Sequence, residues 1–308
     1  MIGSLRRAGR ALLHLWGASG QAPGLHYQVV ERWGAALAEP QSLPCRLPGG
    51  LRVHCDLREL VDRIVYFNGL AEPVESWLLL KMLKPGMVVV DAGANIGQYT
   101  LLAARAVGPS GSVLAFEPVS FNFTRLTRHV SENGLTNVSL DELALWDSIT
   151  ALELAQPEGY EDNTGTFSTG VQGATRYETV PAMPFDDVAD RMKLSRVDVV
   201  KMDIEGGEYR ALLGMQRTID RDHPLLLVEL NRVALERAGS SLDQLWELLT
   251  VRFGYRAWLV GSTPEHGGTL HNINAVQQGN AFFFTGDVPA VLRERWSLRD
   301  VLRWARSG

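Results

Sequence analysis

Two glycines, an amide and a carboxylate fall within Asp91-Ala92-Gly93-Ala94-Asn95-Ile96-Gly97. The stretch follows the apolar run Met87-Val88-Val89-Val90 and opens a helical pattern from Gly97 to Val107. A glycine-bearing turn between strand and helix makes a ligand cradle at the carboxyl edge of a sheet, because backbone without Cβ atoms can approach a ligand closely. The dinucleotide fingerprint G-x-G-x-x-G is not met. Asn95 stands at its second glycine, where a pyrophosphate would meet a side chain. The Asp91 carboxylate would repel phosphate and attract a cation. Glu117, followed by Pro118, ends the next strand twenty residues past Gly97, where an acid can accept from both hydroxyls of a ribose. After the third strand, Asp141-Glu142 offers Glu142 to an adenine amino group. A cation, a ribose and an adenine together describe S-adenosylmethionine.

Chemistry at such a cofactor is an in-line methyl displacement, largely a matter of positioning the acceptor. A neutral alcohol is a weak nucleophile and needs a base or a metal. The candidates are Lys201, Asp203 and Glu205 at the end of one strand, and Glu229 and Asn231 at the end of the next. Lys201 and Asp203 share a face, since strand side chains alternate. Asp203 also borders the expected cofactor site. Asp203, Glu229 and Asn231 form an oxygen set suited to magnesium. The alternative is a metal-free acid network neutralised by Lys201, with Glu208 capping a helix. Acceptor contacts are expected from Asn163, Thr164 and Ser168 in a polar loop around Asp162–Thr166, and from His271 (with His266) in a glycine-rich loop late in the chain.

These residues need a scaffold of alternating strands and helices. Val113–Phe116, Val138–Leu140, Val197–Met202 and Leu225–Val228 read as further strands, with helices Phe121–Asn133, Tyr209–Ile219 and Leu242–Val251 between or behind them. Tyr255–Val260 and Ala281–Phe284 read as closing strands. That rhythm predicts an α/β fold, a mostly parallel sheet with helices on both faces. The rhythm breaks over 145–187, read as an inserted loop and hairpin; a long polar segment inside a compact domain is functional or disordered. Residues 1–84 form an N-terminal extension of helices and a hairpin over 43–56, and residues 85–308 the main domain. The hairpin carries the two cysteines, Cys45 and Cys55, read as reduced thiols of a cytoplasmic protein.

The chain has 308 residues, 45% hydrophobic and 21% charged, which excludes disorder, collagen and coiled coil. Its net charge of −5 argues against a nucleic-acid partner, although a local basic patch is compatible with it. No apolar run is long enough to span a membrane. The N-terminal stretch to Trp16 reads instead as an amphipathic helix, packed on the domain or lying at a surface.

At Leu83–Gly97, Ala115–Pro118 and above all Val200-Lys201-Met202-Asp203-Ile204-Glu205-Gly206-Gly207-Glu208, the sequence resembles the FkbM-type S-adenosylmethionine-dependent methyltransferases. The resemblance covers roughly 44–285. It departs from the family's common pattern at Ala92, where valine is frequent, and at Gly207, where alanine is. It implies a class I methyltransferase, Rossmann-like fold with seven strands, and O-methylation of a sugar, glycan or secondary metabolite. Rival readings are an N- or carboxyl-methyltransferase, an NAD-dependent oxidoreductase and a catalytically silent binding domain. Asn95 and the surrounding acids disfavour NAD; intact Asp203 and Glu205 disfavour silence. The N-terminal forty residues lie outside the resemblance, and their helical segment is a candidate for a lid or a homo-oligomer interface.

Overall fold

The computed structural model describes residues 2–19, 22–39, 41–174, 176–261, 267–274 and 276–308. Its strands are β1 (Leu43–Leu47), β2 (Leu51–Cys55), β3 (Val88–Ala92), β4 (Ser112–Phe116), β5 (Val138–Asp141), β6 (Ala144–Leu145), β7 (Thr150–Ala155), β8 (Tyr177–Met183), β9 (Val199–Met202), β10 (Leu225–Asn231), β11 (Arg256–Leu259), β12 (Gly268–Leu270) and β13 (Gln278–Phe284). The main sheet runs β12-β11-β13-β10-β9-β3-β4-β5. From β5 to β10 neighbouring strands are parallel, and β13, β11 and β12 are added antiparallel. The sheet is therefore mixed, with eight strands rather than the expected seven. The additional strand, β12, is three residues in a glycine-rich stretch, too short to leave a periodic signal.

Strand alternation sends successive side chains into two different cores. Val90, Val200, Val228 and Phe283 pack on one face, and Val89, Val199, Leu227, Phe282 and Phe284 on the other. Both faces are covered by helices, so the central strands tolerate unbroken apolar runs. The chain builds outward from β3 to β5 and then returns to place β9 on the other side of β3. Ligands bind outside the carboxyl ends of strands at such a reversal.

The insertion forms a separate sheet, β6-β8-β7, and ends in a helix, Phe185–Met192, whose first turn lies inside the stretch expected to be loop and hairpin. The helix expected over 209–219 is two, Glu208–Leu213 and Gln216–Asp222. Gly214 lies at the break, where a Cβ would fall 2.0 Å from the Trp146 carbonyl oxygen. The hairpin β1–β2 turns through Pro48–Gly50, and both cysteines are free. The N-terminal helices Ile2–Ser19, Pro23–Trp33, Leu60–Asn68 and Pro73–Met82 precede the main sheet in sequence. The last helix, Leu298–Ala305, closes onto them: a Cβ on Gly69 would sit 2.0 Å from the Ala305 carbonyl oxygen.

Candidate active site

A cavity of about 370 Å³ opens beyond the ends of β3, β4 and β9, within the usual size range of small-molecule sites. Its floor is the glycine turn. Gly93 has φ +77, and a Cβ there would lie 1.8 Å from the Asp203 carbonyl oxygen, so the turn and the end of β9 touch only because the residue is glycine. Asn95 has φ +51, a left-handed conformation that asparagine tolerates better than most residues. Its N–H donates to Glu117 Oε2 at 2.7 Å, and Val119 N–H donates to Oε1 at 3.0 Å. Glu117 and Pro118 both line the cavity. Burial pushes the Glu117 carboxyl up to about 7, against the pull of those two N–H groups.

Behind the turn lies a buried cation. Lys201 Nζ donates to the Gly93 carbonyl at 3.1 Å and stands 3.5 Å from Asp203 and 3.9 Å from Asp91. Burial opposes its charge, but Asp203, Asp91 and Glu72 outweigh that and hold the ammonium above its usual pKa. Asp91 does not reach the cavity wall. Thr100 donates to its Oδ2 at 2.6 Å, and burial raises its pKa despite Lys201.

Asp203 and Glu205 line the cavity, and one oxygen from each lies within 4.8 Å of one from Glu229. Burial, followed by the charges of Asp203 and Glu208, pushes Glu205 up to about 8. Burial and the three neighbouring acids push Glu229 well above the carboxylate range. Gln278 donates to Glu229 Oε1 at 3.2 Å, and Oε2 is buried without a partner among the described residues. Asn231 is engaged elsewhere: its Oδ1 accepts from Ala234 N–H at 3.1 Å as the cap of helix Arg232–Arg237. The expected oxygen set thus assembles with Glu205 in place of Asn231. Glu208 accepts from Ile204 N–H at 2.9 Å, and burial lifts it to about 7.

Of the expected acceptor residues, Asn163 and Thr164 line the cavity and Ser168 and His271 do not. Thr164 N–H donates to Glu59 at 2.9 Å, and Arg63 pairs with Asp162, so the loop is tied to the N-terminal helices. Gly165 rests against Asn95, where a Cβ would be 2.8 Å from its amide nitrogen. Ser168 instead bridges to Ala155 through the backbone and accepts from Arg237 at 3.2 Å. His271 is exposed, and His266 lies outside the described residues. Glu142 is also exposed and away from the cavity; Leu143 and Ala144 beside it form the wall.

Glu72 was not singled out from sequence, where it reads only as a helix opener before Pro73. It lines the cavity, accepts from Tyr99 Oη at 2.9 Å and from Asn280 Nδ2 at 2.8 Å, and is pushed up to about 7 by burial and then by Asp203 and Glu75. Tyr27, Leu60, Val61 and Ile64 add a wall from the N-terminal extension.

A sheet reversed beside β3, an antiparallel β13 next to β10 and a glycine turn facing an acid at the end of β4 define a class I methyltransferase-like α/β protein. The chain belongs to the methyltransferase FkbM domain family, whose pattern matches residues 91–257. It is 28% identical over 144 residues to methyltransferase 1 of Beauveria bassiana, covering 41% of this chain and 57% of that protein. It is 28% identical over 142 residues to the hexuronic acid methyltransferase AglP of Haloferax volcanii, covering 46% and 55%. The chain thus spans little more than half the length of these relatives. A methyltransferase FkbM from Methylobacillus flagellatus superposes with a TM-score of 0.45 at 18% identity, covering 73% of this chain and 54% of that one.

Proposed function

We propose that the chain transfers the methyl group of S-adenosylmethionine to a hydroxyl oxygen of a sugar, glycan or secondary metabolite. Bound in the cavity, the cofactor supplies an electrophilic methyl group on a sulfonium. The residues present fit it. The Gly93 cradle has room only for backbone, Glu117 would accept from the ribose hydroxyls, and Phe116, Leu143, Leu152 and Leu154 offer an apolar wall to a purine. Acceptor contacts fall to Asn163 and Thr164, beside the wall that Tyr27, Leu60, Val61 and Ile64 supply from the N-terminal extension. The relative from Haloferax volcanii, by its name a hexuronic acid methyltransferase, supports a carbohydrate acceptor.

The observation that carries the proposal is Asp203 on the cavity wall with Lys201 beside it. Asp203 would take the hydroxyl proton, with Lys201 offsetting its charge and Glu205 and Glu229 as neighbours able to pass the proton on. In a second version Asp203, Glu205 and Glu229 hold a magnesium ion that acidifies the hydroxyl. Asp203→Asn keeps the shape and removes the charge. It should leave S-adenosylhomocysteine affinity nearly unchanged and cut turnover ~10²-fold or more, the usual scale for a lost general base. Hexuronic acids, neutral hexoses and amino sugars serve as the acceptor panel, with release of S-adenosylhomocysteine as the readout. Loss of native turnover in a chelator, restored by Mg²⁺, selects the metal version. Native turnover by Asp203→Asn, or methylation only at amines or carboxyls, would refute the proposal.

A further inference from the structure

Helix Ile2–Ser19 presents Leu5, Leu12 and Leu15 to solvent at 66%, 68% and 69% exposure. With exposed Ala8 they follow the i, i+3, i+7, i+10 spacing of one helix face. The opposite face is the one packed on the protein. Gly9 lies against Leu37 and Gly17 against His26, and Arg10 reaches the Leu37 carbonyl and Glu39, both at 2.9 Å. The helix contains Arg6, Arg7 and Arg10 and no acidic residue. The apolar stripe is therefore not a misplaced core face: this helix already has its core face buried elsewhere.

Leu15 also lines a groove with Arg46, Arg52, His54 and Arg306, and among the described residues no acidic side chain lines it. Arg46 and Arg52 are directly opposite one another in the β1–β2 register, and both are exposed. Like charges at directly opposed strand positions destabilise a hairpin. Among the described residues, none of Arg46, Arg52 and Arg306 forms an ion pair. Glu132 pairs with His54 at 2.9 Å and with Arg128 at 2.7 Å, and does not itself line the groove. In a chain of net charge −5, a groove whose described lining holds three arginine and no acidic side chains, continuous with an exposed leucine stripe, is a local reversal of sign.

We infer that this face docks on a bilayer surface containing anionic phospholipid. The leucines would enter the boundary between headgroups and acyl chains, and the arginines would meet lipid phosphates, whose geometry suits the guanidinium fork. No described helix is long and apolar enough to cross a membrane, so the association would be peripheral. A second copy of the chain fits less well, because an isologous contact through this face sets the patch of Arg46 and Arg52 against itself.

The test is flotation with vesicles of phosphatidylcholine alone and of phosphatidylcholine mixed equally with phosphatidylglycerol. The protein should float with the mixed vesicles, and less so as salt rises. Arg46→Gln with Arg52→Gln should weaken binding about 25-fold, taking about fivefold for each arginine near an anionic surface. Leu12→Gln with Leu15→Gln should weaken it at least ~10-fold. Both doubles lie outside the active-site cavity and should bind S-adenosylhomocysteine like the native chain, which separates lost docking from lost folding. Three results would overturn the inference: no binding to mixed vesicles, equal binding to neutral ones, or binding unchanged in both doubles. A dimer in lipid-free buffer that Leu12→Gln with Leu15→Gln disperses would do the same, because the stripe would then belong to a second copy.

Discussion

Raising the pH from about 6 to about 8 should tighten the binding of S-adenosylhomocysteine about tenfold through Glu117. The carboxyl is buried at the end of β4, and burial lifts its pKa to about 7. Only the ionised form is a full acceptor for two ribose hydroxyls. About a tenth of the sites are ionised one unit below the pKa and about nine tenths one unit above it, and apparent affinity scales with that fraction. The product is the better probe than the cofactor, because its thioether is uncharged and removes the sulfonium's attraction to the other carboxylates around Asp203. Titration calorimetry at several pH values, repeated in buffers of different ionisation enthalpy, measures both the affinity and the proton released. Glu117→Gln should weaken binding by roughly 10–150-fold at the higher pH, the range for a hydrogen bond to a charged group, and should flatten the profile. A variant that keeps the full pH slope would show that the titrating group is another residue and that the ribose assignment is wrong.

Gly93→Ala should abolish product binding and destabilise the protein by several kcal/mol in urea melts, since its Cβ would overlap the Asp203 carbonyl and φ is positive; near-native binding would contradict the cradle. Stability without ligand should fall as pH rises. Glu72, Glu117, Glu205 and Glu208 have native pKa values raised to about 7 or 8, so between pH 4.5 and those values the native state binds more protons than the unfolded chain. Glu117 alone contributes a loss of ~3 kcal/mol across that window, and urea melts that strengthen with pH would count against it. The loop over 160–170 should gain hydrogen-exchange protection when product and acceptor bind together; unchanged exchange throughout the loop would remove it from the acceptor site.

The cofactor end of the site was legible because it is local. Strand, glycine turn and helix are consecutive in the chain, and Glu117 follows at the end of the next strand. The acids after β9 and β10 were legible for the same reason. Glu72 was not, because its place depends on Tyr99 and on Asn280, 27 and 208 residues away. Glu142 was misplaced by one position: at the end of β5 it is Leu143 that turns inward, at 7% exposure, and the acid that turns out. Asn231 has two local uses, metal ligand and helix cap, and a helix starting at the very next residue decides for the cap. The parallel core of the sheet followed from its alternating pattern, whereas β12 pairs only because β11 offers it an edge.

The ties between the loop and the N-terminal helices set a condition on traffic. Arg63 is almost wholly enclosed, and among the described residues it donates, besides Asp162, only to carbonyl oxygens of Glu31, Leu57 and Arg58. Parting the loop from the helix therefore leaves an enclosed cation facing neutral dipoles, while Thr164 and Glu59 lose each other in the same movement. Both contacts must open for that side of the cavity to part, which gives it the character of a latch. Departure of a spent product through it would be a discrete event with its own barrier. Such a step can set the turnover rate even when the chemistry behind it is fast.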